Sequence, residues 1–158
     1  MLELTGAING ALAARQAAAL TTIVTVRGHA PIQAGAKMVL TSAGQRIGSL
    51  GDSALDERVL DDVRRVMDTR KVQTKTYELA AGQSAEVFFE LFMPPPQLVV
   101  VGAGHIAVPL AAMGKMLDYE VIVIDDRTTF LNHQRFPTAD QILVDDYEHA
   151  ITGLELGP

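Results

Sequence analysis

Apolar residues change their spacing several times along this chain, and each change marks an element. Ala7 to Leu20 is alanine-rich around Arg15 and Gln16. Alanine is the residue least costly to a helix, so a helix is predicted there. Leu20 to Val26 is β-branched and reads as a buried strand. The segment Gly28-His29-Ala30-Pro31 ends it, with Gly28 permitting positive φ and Pro31 fixing its own. Lys37–Thr41 and Gln45–Ile47 form a hairpin pattern around Ser42-Ala43-Gly44. Leu55, Val59, Leu60, Val63 and Val66 recur at helical spacing, predicting a helix over 55–68 capped by Asp52 or Ser53. Val72–Leu79 alternates as a half-buried strand should; residues 80–83 read as a turn, and Glu86–Phe92 as the hairpin partner.

The pattern changes after Pro94-Pro95-Pro96, three residues that cannot donate ladder hydrogen bonds. Leu98–Val101 is continuously apolar, as in a strand covered on both faces. A helix is predicted over His105–Leu117, with Pro109 in its early part, then a buried strand over Glu120–Ile124. A loop over Asp126–Arg135, with room for one short helix, leads to a third strand at Gln141–Val144. The expected class is α/β. An N-terminal α+β domain spans residues 1–93, a proline linker 94–96, and a short Rossmann-like β-α-β-α-β half-domain 97–158.

Composition narrows the functions open to this chain. It has 158 residues, is 48% hydrophobic, and carries a formal net charge of −6. That sign argues against nucleic acid or an anionic membrane as partner. With no cysteine, disulfides, thiolate nucleophiles and cysteine metal sites are excluded. The longest apolar stretch, Leu98–Gly114, is broken by Gly102, Gly104, His105 and Pro109, so no membrane span is predicted. With no targeting signal visible, a soluble cytoplasmic protein is expected.

The chemistry concentrates in VVVGAGHIA. It has the form of a dinucleotide fingerprint: Gly102 for the tight turn, Ala103 between the glycines, Gly104 for close approach of a pyrophosphate, Ala107 for helix packing. The following helix end adds oriented N–H groups. Asp125 closes the next strand at roughly the twenty-residue spacing where an acid meets ribose hydroxyls. Asp125 and Asp126 would repel a 2′-phosphate, which favours NAD over NADP, while nearby Arg127 weakens that preference; the fold does not fix the ligand, and FAD, S-adenosylmethionine and a molybdopterin dinucleotide stay open. His105, at the helix start, can donate to a phosphate or move a proton. In the front domain, the glycine loops 28–35 and 48–53 are of a kind that holds anions, with Arg27, His29 and Lys37 adding charge near the first. Plain turn chemistry is the simpler account of those loops. No catalytic residue and no metal site is nominated.

The runs TVRGHAPIQAGAKMVLTSAGQRIGSLG, LVVVGAGHIAVPLA and VIDDRTTFLNHQRFPTAD together resemble the XdhC/CoxI family, from about Leu20 to Val144. Its members are accessory factors of xanthine dehydrogenase and carbon monoxide dehydrogenase. The resemblance implies a chaperone-like maturation factor that binds the molybdenum cofactor, or a nucleotide such as NAD(P), and assists its insertion into a molybdenum hydroxylase apoenzyme. It places Gly28, His29, Pro31, Gly35, Ala36 and Lys37 in the family's first loop. It places Gly102, Gly104, His105, Asp125, Arg127, Arg135, Phe136 and Pro137 in its second motif. Two departures stand out. Ala54 occupies a position where the family carries cysteine, beside an extra carboxylate, so a thiolate contact to molybdenum or sulfur is absent. The Rossmann part is only half a sheet, which predicts packing onto a second copy as a homodimer, or a piece of a longer family member. An NAD-dependent oxidoreductase and a nucleotide-sensing regulatory module are the alternatives.

Overall fold

The computed structural model describes residues 1–80 and 82–154. Part of the predicted 80–83 turn, Ala81, and the last residues of the predicted second domain therefore lie outside the described residues. The chain forms two compact units, one running to Pro94 and the other from Pro95.

The first unit is an antiparallel sheet with a helix on each face. Its elements are α1 (Leu2–Ala13), β1 (Ala18–Arg27), β2 (Lys37–Thr41), β3 (Arg46–Ser49), α2 (Ser53–Thr69), β4 (Gln73–Glu78) and β5 (Ser84–Phe92), with strand order β3-β2-β1-β5-β4. One face of the sheet carries Ile23, Met38, Tyr77, Val87 and Phe89 against Leu55, Val59, Val63 and Val66 of α2. The other carries Ala18 and Val39 against Ile8 and Ala11 of α1. The alternation of side chains along a strand sorts these two sets.

The first helix departs from the sequence expectation. It ends at Ala13, not Leu20, and Arg15 turns the chain at φ 55°. Ala17, Ala18 and Ala19 are buried at the start of β1. Ala18 packs on the α1 face and Ala19 on the α2 face, and their pairing with β2 and β5 outweighs alanine's helix preference. The strand also bulges: register shifts between Ile23 and Thr25, leaving Val24 45% exposed. Strand β4, expected to be half-buried, lies at the sheet edge and buries only Tyr77. The helix α2 starts at its Asp52 cap, whose carboxylate accepts from the Leu55 N–H at 2.7 Å, and ends with Arg70 in the left-handed region.

The second unit is a three-stranded parallel sheet of order β6-β7-β8, with β6 at Gln97–Val101, β7 at Glu120–Ile124 and β8 at Gln141–Leu143. Helix α3 (Ala107–Met116) packs on one face, through Ala107 and Ala111 against Val100, Val121 and Val123. Helix α4 (Tyr147–Thr152) covers the other, with Ala150 against Ile122 and Ile124. Here too the sequence expectation is corrected. The apolar run of β6 is an edge strand: Leu98 and Val100 pack on the α3 face and Val99 on the α4 face, but the cover is partial and Val101 is 51% exposed. The fully covered strand is β7, whose Val121 to Ile124 are all at 0% exposure. Pro109 falls in the first turn of α3, where its missing N–H costs nothing. The loop after Asp125 is a chain of turns rather than a helix.

Candidate functional site

The glycine turn sits where β6 ends and α3 has yet to begin. Gly102 holds φ 96°, which only glycine adopts without strain, and its N–H donates to the Ile124 carbonyl at 2.7 Å. Gly104 differs. Its φ is ordinary, and a Cβ built there would meet nothing within 4 Å. No packing among the described residues therefore calls for glycine at 104, and the space beside it is open. The N–H groups of Gly104, His105 and Ile106 have no acceptor among the described residues. Together they form the donor set that an oxyanion uses at the start of a helix. Close helix packing is provided elsewhere: Ala107 is buried, and a Cβ at Gly114 would stand 2.6 Å from Leu98 Cδ2 and 2.9 Å from Val121 Cγ2.

Ala103, between the glycines, is clamped on both sides of its backbone. Its N–H donates to Asp125 Oδ2 at 2.6 Å, and its carbonyl accepts from Arg135 Nη1 at 3.1 Å. Asp125 is wholly buried. Oδ1 accepts from the Arg127 backbone N–H at 2.9 Å and from Arg127 Nε at 2.8 Å; Oδ2 also accepts from Arg127 Nη2 at 2.8 Å. A carboxylate offers about four lone-pair sites, so these donors fill it. The Arg127 fork holds the Asp125 carboxyl well below the usual carboxylate range, against burial and helped by the two backbone N–H groups. Arg127 lies over the Phe130 ring at 4.3 Å from its centroid, and Arg135 approaches the same ring at 5.4 Å. Leu131 and Phe136, from the same run of turns, are buried in the core beneath. Asp140 completes the run by accepting from the Val121 N–H at 2.7 Å and from Lys115.

His105 stands exposed at the turn with no side-chain hydrogen bond among the described residues. Arg135, at the end of the predicted loop, is half-buried against the turn. A bond from its side chain to a backbone carbonyl leaves no periodic trace, so pattern reading passes over it.

The front-loop residues belong to the other unit. Gly28 holds φ 79°, and a Cβ there would lie 2.6 Å from the Gly82 carbonyl oxygen, so close backbone approach alone requires glycine. His29 is exposed and its carbonyl accepts from Gln83 at 3.2 Å. Lys37 Nζ is already bonded to Thr22 Oγ1 at 2.7 Å. The two glycine loops do converge: Gly51 abuts Ile32. Beside them lies a cleft of about 240 Å³, lined by residues including Pro31, Ile32, Asp52, Ala54, Arg58 and Gln83. Asp52, the extra carboxylate of the second loop, is spent on capping α2, and Asp56, in the first turn of that helix, turns inward and accepts from Ser49 Oγ and the Leu50 N–H, both at 2.8 Å.

Residues 11–78 match the model of the XdhC and CoxI family, and residues 98–155 match that of the XdhC Rossmann domain. The chain belongs to the XdhC and CoxI family. Among its relatives, a protein named "Uncharacterized protein YqeB" from Escherichia coli K12 is 24% identical over 151 residues, covering 89% of this chain and 28% of its own length. A probable xanthine dehydrogenase component from Bacillus subtilis 168 is 32% identical over 76 residues, covering 48% of this chain and 23% of its own. The chain thus spans about a quarter of the length of these curated relatives. A solved chain described as a xanthine dehydrogenase from Bacillus halodurans has a TM-score of 0.48 and 16% identity, over 98% of this chain and 71% of that one. Within the family frame, the motif running from Asp125 through Arg127 and Arg135 to Asp140 now has a physical content. It fixes the glycine turn and seats the start of β7.

Proposed function

We propose that this chain is an accessory factor of a molybdenum hydroxylase such as xanthine dehydrogenase or carbon monoxide dehydrogenase, and that it holds a phosphate-bearing cofactor at the turn from Gly102 to Gly104. The observation that carries the reading is Gly104. It is a glycine that packing among the described residues does not need, beside backbone N–H groups without acceptors among those residues. Those donors suit the phosphate of a nucleotide or of the molybdenum cofactor's pterin moiety. In the other unit, the cleft beside Ala54 offers the Arg58 guanidinium and the Gln83 amide but no thiol, so contact there would be by hydrogen bonding. A bound molybdenum cofactor would bring the client's redox metal; this chain's residues would grip and shelter it.

A binding role is favoured over an oxidoreductase. Proton transfer at such a site needs an acid or base held by a partner, and His105 is exposed with none among the described residues. Exposed apolar side chains in the second unit, Val101 at 51% at the end of β6 and Met113 at 53% and Leu117 at 70% toward the end of α3, support self-association, and light scattering would read a dimer.

The test is direct titration of the pure chain with NAD, NADP and molybdenum cofactor released from a molybdoenzyme. Gly104→Asp should fold normally, because its side chain enters open space, and should abolish binding by placing a carboxylate against the anion. Unchanged binding in that variant would remove the turn as the site. Failure to copurify with, or to stimulate maturation of, any large molybdenum hydroxylase polypeptide would remove the accessory role.

A further inference from the structure

The residue that a dinucleotide fold ordinarily offers to ribose hydroxyls is not on offer here. Asp125 is buried, and its oxygens are filled by Ala103 and Arg127. The guanidinium that fills it faces solvent at the end of β7, beside the Asp126 carboxylate and Tyr147. The Arg127 side chain is 51% exposed, and its fork on Asp125 uses Nε and Nη2, leaving Nη1 clear of that carboxylate. The guanidinium lies over the Phe130 ring, and Arg135 adds a second positive charge at the same ring.

We propose that the strand-end half of this site selects a nucleotide whose ribose carries a phosphate monoester, with Arg127 as the specificity-determining residue. The proposal rests on the nucleotide reading of the glycine turn. It reverses the preference for NAD that the adjacent Asp125 and Asp126 suggest as sequence. Two arginines and two aspartates meet here, so the cluster is formally neutral, but the charges are not equally placed. The Asp125 charge is wholly buried, while the Arg127 side chain is half exposed. An arginine near this strand end is the group that accommodates a 2′-phosphate, and a planar guanidinium suits phosphate geometry. Asp126 opposes this, at 3.7 Å from Arg127 Nε. Its side chain is 59% exposed and turns into water, where salt screens it.

The full chain, titrated by calorimetry with NADP and NAD in parallel, is expected to bind NADP about tenfold more tightly, the worth of one charge-assisted hydrogen bond. Arg127→Gln should erase the difference between the two dinucleotides. Because that variant strips Asp125 of its counter-ion and can unfold, Asp126→Lys provides a second arm: it should tighten NADP and leave NAD unchanged. Equal affinities, or tighter NAD, would overturn the specificity and leave the turn as a nucleotide site. No binding of either dinucleotide would overturn both.

Discussion

Replacing Asp125 by asparagine removes one acceptor and introduces a donor at a site surrounded by donors. Oδ1 and Oδ2 each accept from two N–H groups in the native protein. An amide satisfies one pair and opposes the other. If the Ala103 N–H loses its partner, a buried donor is stranded, at about 1–3 kcal/mol. The Arg127 side chain is half exposed and rehydrates, so its loss counts for little. The expected cost is about 2 kcal/mol, against ~0.5 kcal/mol or less for the exposed neighbour in Asp126→Asn. Urea denaturation of the three proteins, side by side, measures both. The pH dependence adds a signed check. The folded carboxyl titrates well below its unfolded value. Its contribution is therefore fully present above about pH 4, the unfolded value, and fades only as pH falls further toward the folded one. A cost for Asp125→Asn no larger than for Asp126→Asn would refute the clamp. So would a wild-type advantage that vanishes between about pH 7 and pH 5, above the ordinary carboxylate range.

Two further substitutions probe the packing. Tyr77 is buried and donates to Asp62 Oδ2 at 2.6 Å, so Tyr77→Phe should lower stability by about 1.5 kcal/mol; a melting temperature equal to wild type would mean that Lys75, at 2.6 Å from the same oxygen, suffices alone. Gly114→Ala sets a strain of about 1–3 kcal/mol against Val121, which is stiff at χ1, and against a helix gain of at most about 1 kcal/mol. A net loss of about 1 kcal/mol is expected in chemical denaturation, and a gain would show that α3 can lift off the sheet freely.

Local features were legible in the sequence where the cause is local. The turn around Gly102 announces itself because only glycine takes that φ, and β7 because four consecutive apolar residues need cover on both faces. The reach of α1 was not legible, since alanine suits a helix and a crowded strand alike, and tertiary packing decides between them. Whether β6 is central or at the rim depends on which strands join it, and its own residues cannot carry that information. Helix α4, with six residues, is too short to show a period. At the site, the positions of Gly104 and Asp125 were readable, but the state of Asp125 was not. Its saturation depends on a rotamer of Arg127, and the support from Arg135 arrives across 32 positions of chain. Gly114 was passed over because a glycine inside a helix looks like a defect until its neighbours Leu98 and Val121 are in place.

The grip on Ala103 bears on how a ligand would come and go. To swing open, the turn would have to part a buried carboxylate from the backbone N–H and release the Arg135 contact on the other side. Such a door stays shut. A phosphate would meet donors already aimed, with little ordering entropy left to lose, and would leave without waiting for the loop. Association and release would then follow the ligand's own diffusion and desolvation rather than a conformational clock.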